Sequence, residues 1–248
     1  IDSWTEPYRR QYLSRLESFL GSACVFLTNS EYTKSDLMDF RRLEKYRTKV
    51  IHAGLNNLEG DVPVHPETLA RLKSRLGITK PFFLHVGAHD EHKNFRNVFK
   101  SFLHCSQQSD IQLVVVGALS GHLKANADTA SDHGIKDIIF TGFLTREELD
   151  ALYSDAVSLL FLSRYEGFGF PVLEAMAHGC PVISTNVTSI PEVAGDAALL
   201  FDPDDIDGIS GAMLSLLSDP EQRKHLRRAG LERAKVFSWS ETARKTIA

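Results

Sequence analysis

Glu166 and Glu174 stand eight positions apart in the run E-G-F-G-F-P-V-L-E, with a Gly-x-Gly turn and a proline between them. A carboxylate only accepts hydrogen bonds and vicinal sugar hydroxyls donate in pairs, so this pairing suits a clamp on a hexose or a ribose. The apolar run Val157 to Leu162 before it is short enough for a buried strand, and Pro171 to His178 after it has helical composition. Strand, loop and helix therefore follow one another. Proline suits the first helical position and the first N–H groups of a helix lack internal acceptors. Gly169, Phe170, Val172 and Leu173 are thus expected to present donors beside the positive end of a helix dipole. An anion such as a diphosphate fits there. Gly167 and Gly169 let the backbone turn and approach a ligand with no Cβ in the way. Taken alone, Glu174 reads first as a partner of the helix dipole and Glu166 as a solvated acid. The combination is much more specific.

The elements that must carry this loop follow from apolar runs alternating with helical stretches, the pattern of a parallel, doubly wound α/β sheet of Rossmann-like type. Strands are expected near Phe82 to Val86, Gln112 to Val116, Asp137 to Phe140, Ser158 to Phe161, Val182 to Ser184 and Ala198 to Phe201. Helices are expected near Phe95 to Ser106, Gly121 to Asp132, Arg146 to Tyr153, Pro171 to His178, Asp205 to Leu217 and Glu221 to Val236. Ahead of these, Pro7 to Leu20 reads as an amphipathic helix and Cys24 to Thr28 as a strand. Ser30 to Leu43 follows as a helix capped by Ser30, and Lys49 to His52 as a second strand.

Ligands of open parallel sheets bind beyond the carboxyl ends of the strands. After the first strand of the large sheet comes Gly87 to Asn94, where Lys93 offers a compact positive charge to a diphosphate or is simply solvated. After the third comes Thr141-Gly142-Phe143-Leu144, and after the fifth Thr185-Asn186-Val187-Thr188-Ser189, followed by Ile190-Pro191-Glu192. Leu144 reads as core, and capping of the next helix is the first reading of Ser189.

Other motifs carry less. Gly167-Phe168-Gly169 meets Val172 where a dinucleotide fingerprint needs its third glycine. His89 and His92 lack further metal ligands nearby. Asp202-Pro203-Asp204 and Asp205-Ile206-Asp207 read as a helix cap with solvated acids. The basic run Arg223 to Arg228 reads as a solvated helix face, with contact to an anionic membrane as the alternative.

From Glu166 through Asp204, and again over Phe83 to Phe102, the chain resembles the retaining GT-B glycosyltransferases of family 4, whose signature spaces two glutamates as Glu166 and Glu174 are spaced. The likeness covers roughly residues 24 to 246. It implies that Glu166 contacts the donor sugar, that Glu174 contacts the ribose, and that the backbone of Gly167, Phe168, Gly169, Phe170, Val172 and Leu173 holds the diphosphate. It further implies that Gly87, His92 and Lys93 form the lysine-bearing loop, Lys93 neutralising the leaving group. Gly142 and Leu144 hold the base, and Asn186 and Ser189 lie near the donor sugar and phosphate. The family usually places an arginine beside that lysine; here the candidate positions hold Ala88 and His92.

The resemblance implies transfer of a hexose, with retention, from a nucleoside diphosphate sugar to a glycan or lipid-linked acceptor hydroxyl, with no metal or other cofactor. The wording of the motif is most like bacterial mannosyltransferases of polysaccharide assembly, favouring GDP-mannose; UDP-sugars would need the same clamp. Ala53 to Asn57 resembles the linker that closes the family's N-terminal domain. Residues 1–56 then form the tail of an acceptor-binding domain plus linker, and residues 57–248 the donor-binding domain with the C-terminal crossing helix. The absence of an initiating Met is read as a cut chain, and an isolated fragment of this kind is expected to be inactive in transfer. A GT-B epimerase or phosphorylase, or a nucleotide-binding module without catalysis, stays open as an alternative.

Composition agrees. The chain has 248 residues, 43% hydrophobic and 24% charged, with a net charge of -4 and a pI near 6.2, which argues against nucleic acid as its main partner. Three scattered cysteines, Cys24, Cys105 and Cys180, read as reduced thiols of a cytoplasmic protein. No apolar run reaches the roughly 18 residues of a transmembrane helix, and no signal peptide is recognisable. Peripheral contact at the inner face of the membrane remains open.

Overall fold

Alternation of side chains across a buried strand decides the layering. In β6 (Ser158–Phe161), Leu159 and Phe161 enter one apolar cluster, while Leu160, with Leu162 just beyond the strand, enters another on the opposite face. All four are fully buried. A strand apolar on both sides needs helices above and below it, as parallel sheets have.

The computed structural model describes residues 25–41, 48–55, 66–87, 91–117 and 137–247, with scattered positions between residues 6 and 18. Its six-stranded sheet comprises β3 (Phe82–Val86), β4 (Gln112–Val116), β5 (Ile138–Gly142), β6, β7 (Val182–Thr185) and β8 (Leu199–Phe201). All neighbours are parallel, in the order β5-β4-β3-β6-β7-β8. The chain builds outward from β3 to β5, returns to the centre and builds outward again to β8. Strand direction of growth therefore reverses between β3 and β6, which opens a crevice at their carboxyl ends.

On one face lie α2 (Pro66–Leu76), α4 (Arg146–Asp155), α5 (Phe170–Ala177) and α8 (Pro220–Ala234), with α2 against α4 and α5 against α8. On the other, α3 (Phe95–Ser106) packs against α7 (Ile206–Ser218) around Phe83, Leu113, Val115, Leu160 and Ile183. A short helix, α6 (Ile190–Ala194), follows β7.

A separate two-stranded parallel sheet pairs β1 (Phe26–Thr28) with β2 (Thr48–Val50), joined through α1 (Glu31–Arg41). The last helix, α9 (Trp239–Ile247), begins against this segment. Leu55 N–H donates to the Phe237 carbonyl at 3.1 Å, and Thr242 Oγ1 donates to the His52 carbonyl at 2.8 Å. A Cβ on Gly54 would stand 2.2 Å from Trp239 N, so only glycine admits this crossing.

Three strands of the large sheet have the bounds expected from sequence. β5 runs two residues past Phe140 because the register shifts between Val115 and Val116 and Gly142 continues the pairing. α5 starts at Phe170 rather than Pro171 because Gly169 takes the left-handed N-cap conformation. α8 starts at Pro220 under Asp219, which caps the N–H groups of Glu221 and Gln222. In α1 the Ser30 cap forms, Thr33 N–H donating to Ser30 Oγ at 3.0 Å. Of the expected helix at Pro7 to Leu20 only scattered positions are described, and these are helical; the expected helix at Gly121 to Asp132, Cys24 at the head of the first expected strand, and the loop positions Ala88, His89 and Asp90 lie outside the described residues.

Candidate active site

The crevice between β3 and β6 is where Lys93 and Glu166 meet. A 3-10 turn, Glu91–Lys93, follows β3, and Asn94, left-handed with φ 53°, leads into α3. Asn94 and Asn97 both donate from Nδ2 to the Pro203 carbonyl, tying this turn to the loop after β8. Lys93 Nζ lies 2.6 Å from Glu166 Oε1, their side chains 16% and 12% exposed, and 5.2 Å from the centre of the Phe161 ring. The ammonium thus sits between a carboxylate and an aromatic face, both favourable to a cation.

The Glu166 peptide is held from several sides. Its N–H donates to Thr188 Oγ1 at 3.2 Å and its carbonyl accepts from Ser189 Oγ at 2.9 Å. Thr188 is left-handed with φ 57°, an uncommon and costly state for a β-branched residue, of the kind that gathers at functional loops. Ser189 corrects its expected role: it stands at the N-cap of α6 but makes no side-chain cap, and its buried hydroxyl serves the Glu166 loop instead. The Gly167 carbonyl accepts from Ser30 Oγ at 2.7 Å and Thr33 Oγ1 at 3.0 Å.

The donors expected at the start of α5 are fewer than anticipated. Val172 and Leu173 N–H both point to the Gly169 carbonyl, at 3.0 and 3.4 Å, and both side chains are fully buried. A tight first turn closes on that carbonyl, so Gly169 and Phe170 are the expected donors not drawn into it. Phe168 is buried against His52, Phe170 and Phe237, leaving only its backbone for a ligand. Phe170 is 39% exposed.

Glu174 faces α4. Arg146 Nη1 donates to Oε1 at 2.6 Å and Tyr153 OH to Oε2 at 3.2 Å. Burial, then the charge of Glu174, raises the Tyr153 pKa well above its ordinary value, so the hydroxyl keeps its proton and remains a donor. Asp150 Oδ1 lies 2.8 Å from Arg146 Nε and 3.2 Å from His178 Nε2, as ion-pair contacts not aligned for hydrogen bonds. His178 Nδ1 donates to the Glu174 carbonyl at 2.8 Å, and its ring stacks on Tyr153 at 5.6 Å. Burial pushes His178 towards neutrality, but Asp150 and that carbonyl outweigh it and its pKa rises. Arg146, Asp150 and Tyr153 have no site motif of their own in the sequence; the only local signal is a spacing that puts them on one helical face, with the Thr145–Glu148 capping box fixing where α4 begins.

Glu166 therefore reaches the turn after β3, and Glu174 the helix α4 that follows β5. Gly142 ends β5, its carbonyl accepting from Gly117 N–H at 3.0 Å and Thr141 Oγ1 at 2.8 Å, and Leu144 packs on the core. Gly87 N–H donates to the Val116 carbonyl at 3.2 Å. The exposed Asn186 follows β7, its N–H on the Phe201 carbonyl at 2.8 Å. The His92 carbonyl accepts from Arg164 N–H at 2.7 Å. Arg164, the cation nearest in sequence to Glu166, is held in a two-pronged pair with Asp204, Nη1 to Oδ2 at 2.8 Å. With Arg164 and Asn97 both donating to it, Asp204 falls to about 2; exposed as expected of a solvated acid, it also tethers the loop after β8. Asp205 does cap α7, accepting from Gly208 N–H at 2.9 Å.

A cavity of about 370 Å³ lies at the other end of the sheet, lined by Pro81, Val157 and Pro181 before their strands and by Arg223, Lys224 and Arg227. Those cations stand where α4, α5 and α7 end, and Arg223 donates to the Leu216 and Leu217 carbonyls. They answer helix C-termini, whose negative dipole ends disfavour an anion there. Among the described residues no helix is long and apolar enough to cross a membrane.

Residues 68–233 match the family described as Glycosyl transferases group 1. The chain is 32% identical over 247 residues to the O-antigen chain mannosyltransferase B of Escherichia coli, covering 96% of this chain and 64% of that protein. It is 27% identical over 245 residues to the serotype-specific mannosyltransferase WbdA of Escherichia coli, covering 97% of this chain and 30% of that one. The chain thus spans less than two thirds of either relative. Sucrose-phosphate synthase from Thermosynechococcus elongatus superposes with a TM-score of 0.80 at 23% identity, covering 99% of this chain and 62% of that one. Anabaena Alr3699/HepE in complex with UDP and glucose does so with 0.80 at 19%, covering 91% and 62%. At these identities the two structures establish a shared GT-B fold.

Proposed function

This chain belongs to the group 1 glycosyl transferases, and from that we propose that it is the donor-binding half of an enzyme moving a hexose from a nucleoside diphosphate sugar to an acceptor hydroxyl. The observation that carries the reading is the convergence of Lys93 and Glu166, 2.6 Å apart, at the reversal point of the strand order. A cation suited to a diphosphate and a carboxylate suited to sugar hydroxyls meet where a parallel sheet of this order takes its ligand.

As the bond between the anomeric carbon and the diphosphate stretches, negative charge grows on the leaving group and positive charge on the carbon. Lys93 and the backbone N–H groups of Gly169 and Phe170 act on the first, each well-placed donor contributing up to about 3 kcal/mol. Glu166 orients the sugar through its hydroxyls. Glu174, set by Arg146 and Tyr153, receives the ribose hydroxyls, and Gly142 and Leu144 border the base. Gly87, His92, Asn186 and Ser189 complete the loops around the donor. In this reading the acceptor oxygen attacks from the leaving group's own side and the departing phosphate takes its proton, so configuration is retained without a nucleophilic side chain or a metal.

GDP-mannose is the proposed donor, on the strength of the relatives named as mannosyltransferases, and a growing bacterial polysaccharide or lipid-linked glycan the acceptor. Residues 1–56 are assigned to the acceptor-side domain and residues 57–248 to the donor-side domain. A cytoplasmic setting is part of the proposal, one in which the buried free thiols Cys105 and Cys180 stay reduced, and peripheral contact at the inner membrane face is proposed with it. A panel of nucleotide sugars screened for protection against thermal unfolding tests the reading. GDP-mannose should raise the midpoint most, and a panel with no effect at all would remove the donor site.

A further inference from the structure

Glu166 is flanked on both sides by bonds to a helix that is not part of the large sheet. Before it, Tyr165 OH donates to Asp36 Oδ2 at 2.5 Å and its ring meets that of Tyr32 edge-on at 5.8 Å. After it, the Gly167 carbonyl takes the hydroxyls of Ser30 and Thr33. All of these partners lie on or beside α1, more than 120 positions away in sequence. A carbonyl has two lone pairs, and here each has a donor, which fixes the peptide plane between Gly167 and Phe168.

The helix supplying these hydroxyls is itself pinned. Both oxygens of Glu192 accept from Glu31 N–H, at 2.9 and 2.8 Å, and its Oε1 lies 2.6 Å from His52 Nε2. A carboxylate at this end is where the dipole of α1 favours it. Ser30, fully buried, is N-cap to α1 and donor to Gly167 at once. Gly167 has no side chain to hold it, and its carbonyl is the handle by which the Glu166 carboxylate is aimed.

We propose that Ser30 and Thr33 are positioning residues for the sugar end of the donor. They fix the Gly167 carbonyl, and through it the direction of the Glu166 carboxylate, so the segment carrying α1 acts on the sugar contact directly and on the diphosphate contact only through the Lys93–Glu166 pair. Glu174 and Arg146, paired with each other, face the nucleoside end without touching α1, and Lys93 meets the α1-held loop only at Glu166. The inference rests on the donor-site reading above.

The test separates sugar from nucleotide. GDP and GDP-mannose, with UDP and UDP-glucose as a second pair, are titrated calorimetrically into the chain and into two variants, Thr33→Val, which keeps shape but removes the hydroxyl, and Ser30→Ala with Thr33→Val. The expected result is a loss of about fivefold or more in the extra affinity contributed by the sugar, with a clearly smaller change for the free nucleotide. Thr33→Ser, which restores a donor, should behave as the parent chain does. Retention of the full sugar contribution in the double variant overturns the inference, and so does an equal loss for nucleotide and nucleotide sugar, which marks a merely structural role. If the parent chain binds none of the four, the donor-site reading itself falls and takes the inference with it.

Discussion

Lys93 and Glu166, 73 positions apart in sequence, form a part-buried ion pair at 2.6 Å across the carboxyl ends of β3 and β6. Each is assigned to a different end of the donor, the lysine to the diphosphate and the glutamate to the sugar. Their contact sets the two ends at one place.

Breaking this pair from one side leaves a poorly solvated charge on the other. Lys93→Ala and Glu166→Ala are each expected to cost about 1 to 3 kcal/mol of stability, and the double variant less than their sum. Urea unfolding of the four proteins gives the coupling; strict additivity would mean that the two side chains do not support each other.

Glu174 closes a second network, and its removal has two effects. Glu174→Ala is expected to weaken nucleoside diphosphate binding by about 1 to 3 kcal/mol through lost hydrogen bonds, and to lower stability by leaving the buried Tyr153 hydroxyl without its acceptor. Tyr153→Phe should keep most of that stability while loosening the carboxylate. Calorimetry with GDP beside a melting curve distinguishes the two, and an unchanged affinity in Glu174→Ala removes that residue from the site.

His178 carries a pH signature. Its folded pKa lies above the ordinary 6.5, so its contacts stabilise the fold fully below about pH 6.5 and are lost as pH rises through the raised value. The gap in melting temperature between the parent chain and His178→Gln should be widest at acid pH and shrink as pH rises through the raised value. A gap independent of pH would mean that Asp150 does not engage the charged ring.

Any side chain at position 169 is strained on two counts. Its φ is 98°, and a Cβ would stand 2.6 Å from Ile190 Cδ1. Gly169→Ala should cost about 1 to 3 kcal/mol and displace the start of α5. A circular-dichroism melt coincident with that of the parent chain would show that the loop tolerates another backbone path.

Much of this was legible before any coordinates, because the signals are local. Val157 to Leu162 is apolar apart from Ser158 since β6 is covered on both faces, and Gly169 with Pro171 marks the start of α5 within one residue. Lys93 could be singled out because its loop follows a strand. The rest depends on contacts that spacing does not encode. Ser189 follows the pattern of a cap and precedes a proline, yet the nearer demand comes from the Glu166 carbonyl. Thr188 shows nothing in sequence of its left-handed backbone. Ser30 and Thr33 read as the first turn of a helix and nothing more, because their second partner, Gly167, lies far along the chain. Arg146 and Tyr153 were visible only as helix residues, their relation to Glu174 being set by how α4 and α5 pack.

The central claim is that the crevice between β3 and β6 holds a nucleoside diphosphate sugar by Lys93 and the glycine-rich turn. Titrating GDP-mannose into the chain in the presence of a metal chelator tests it most directly. The account predicts saturable binding without divalent metal, weakened about tenfold or more by Lys93→Ala. Absence of binding, strict dependence on added magnesium, or an affinity indifferent to the loss of Lys93 would contradict it.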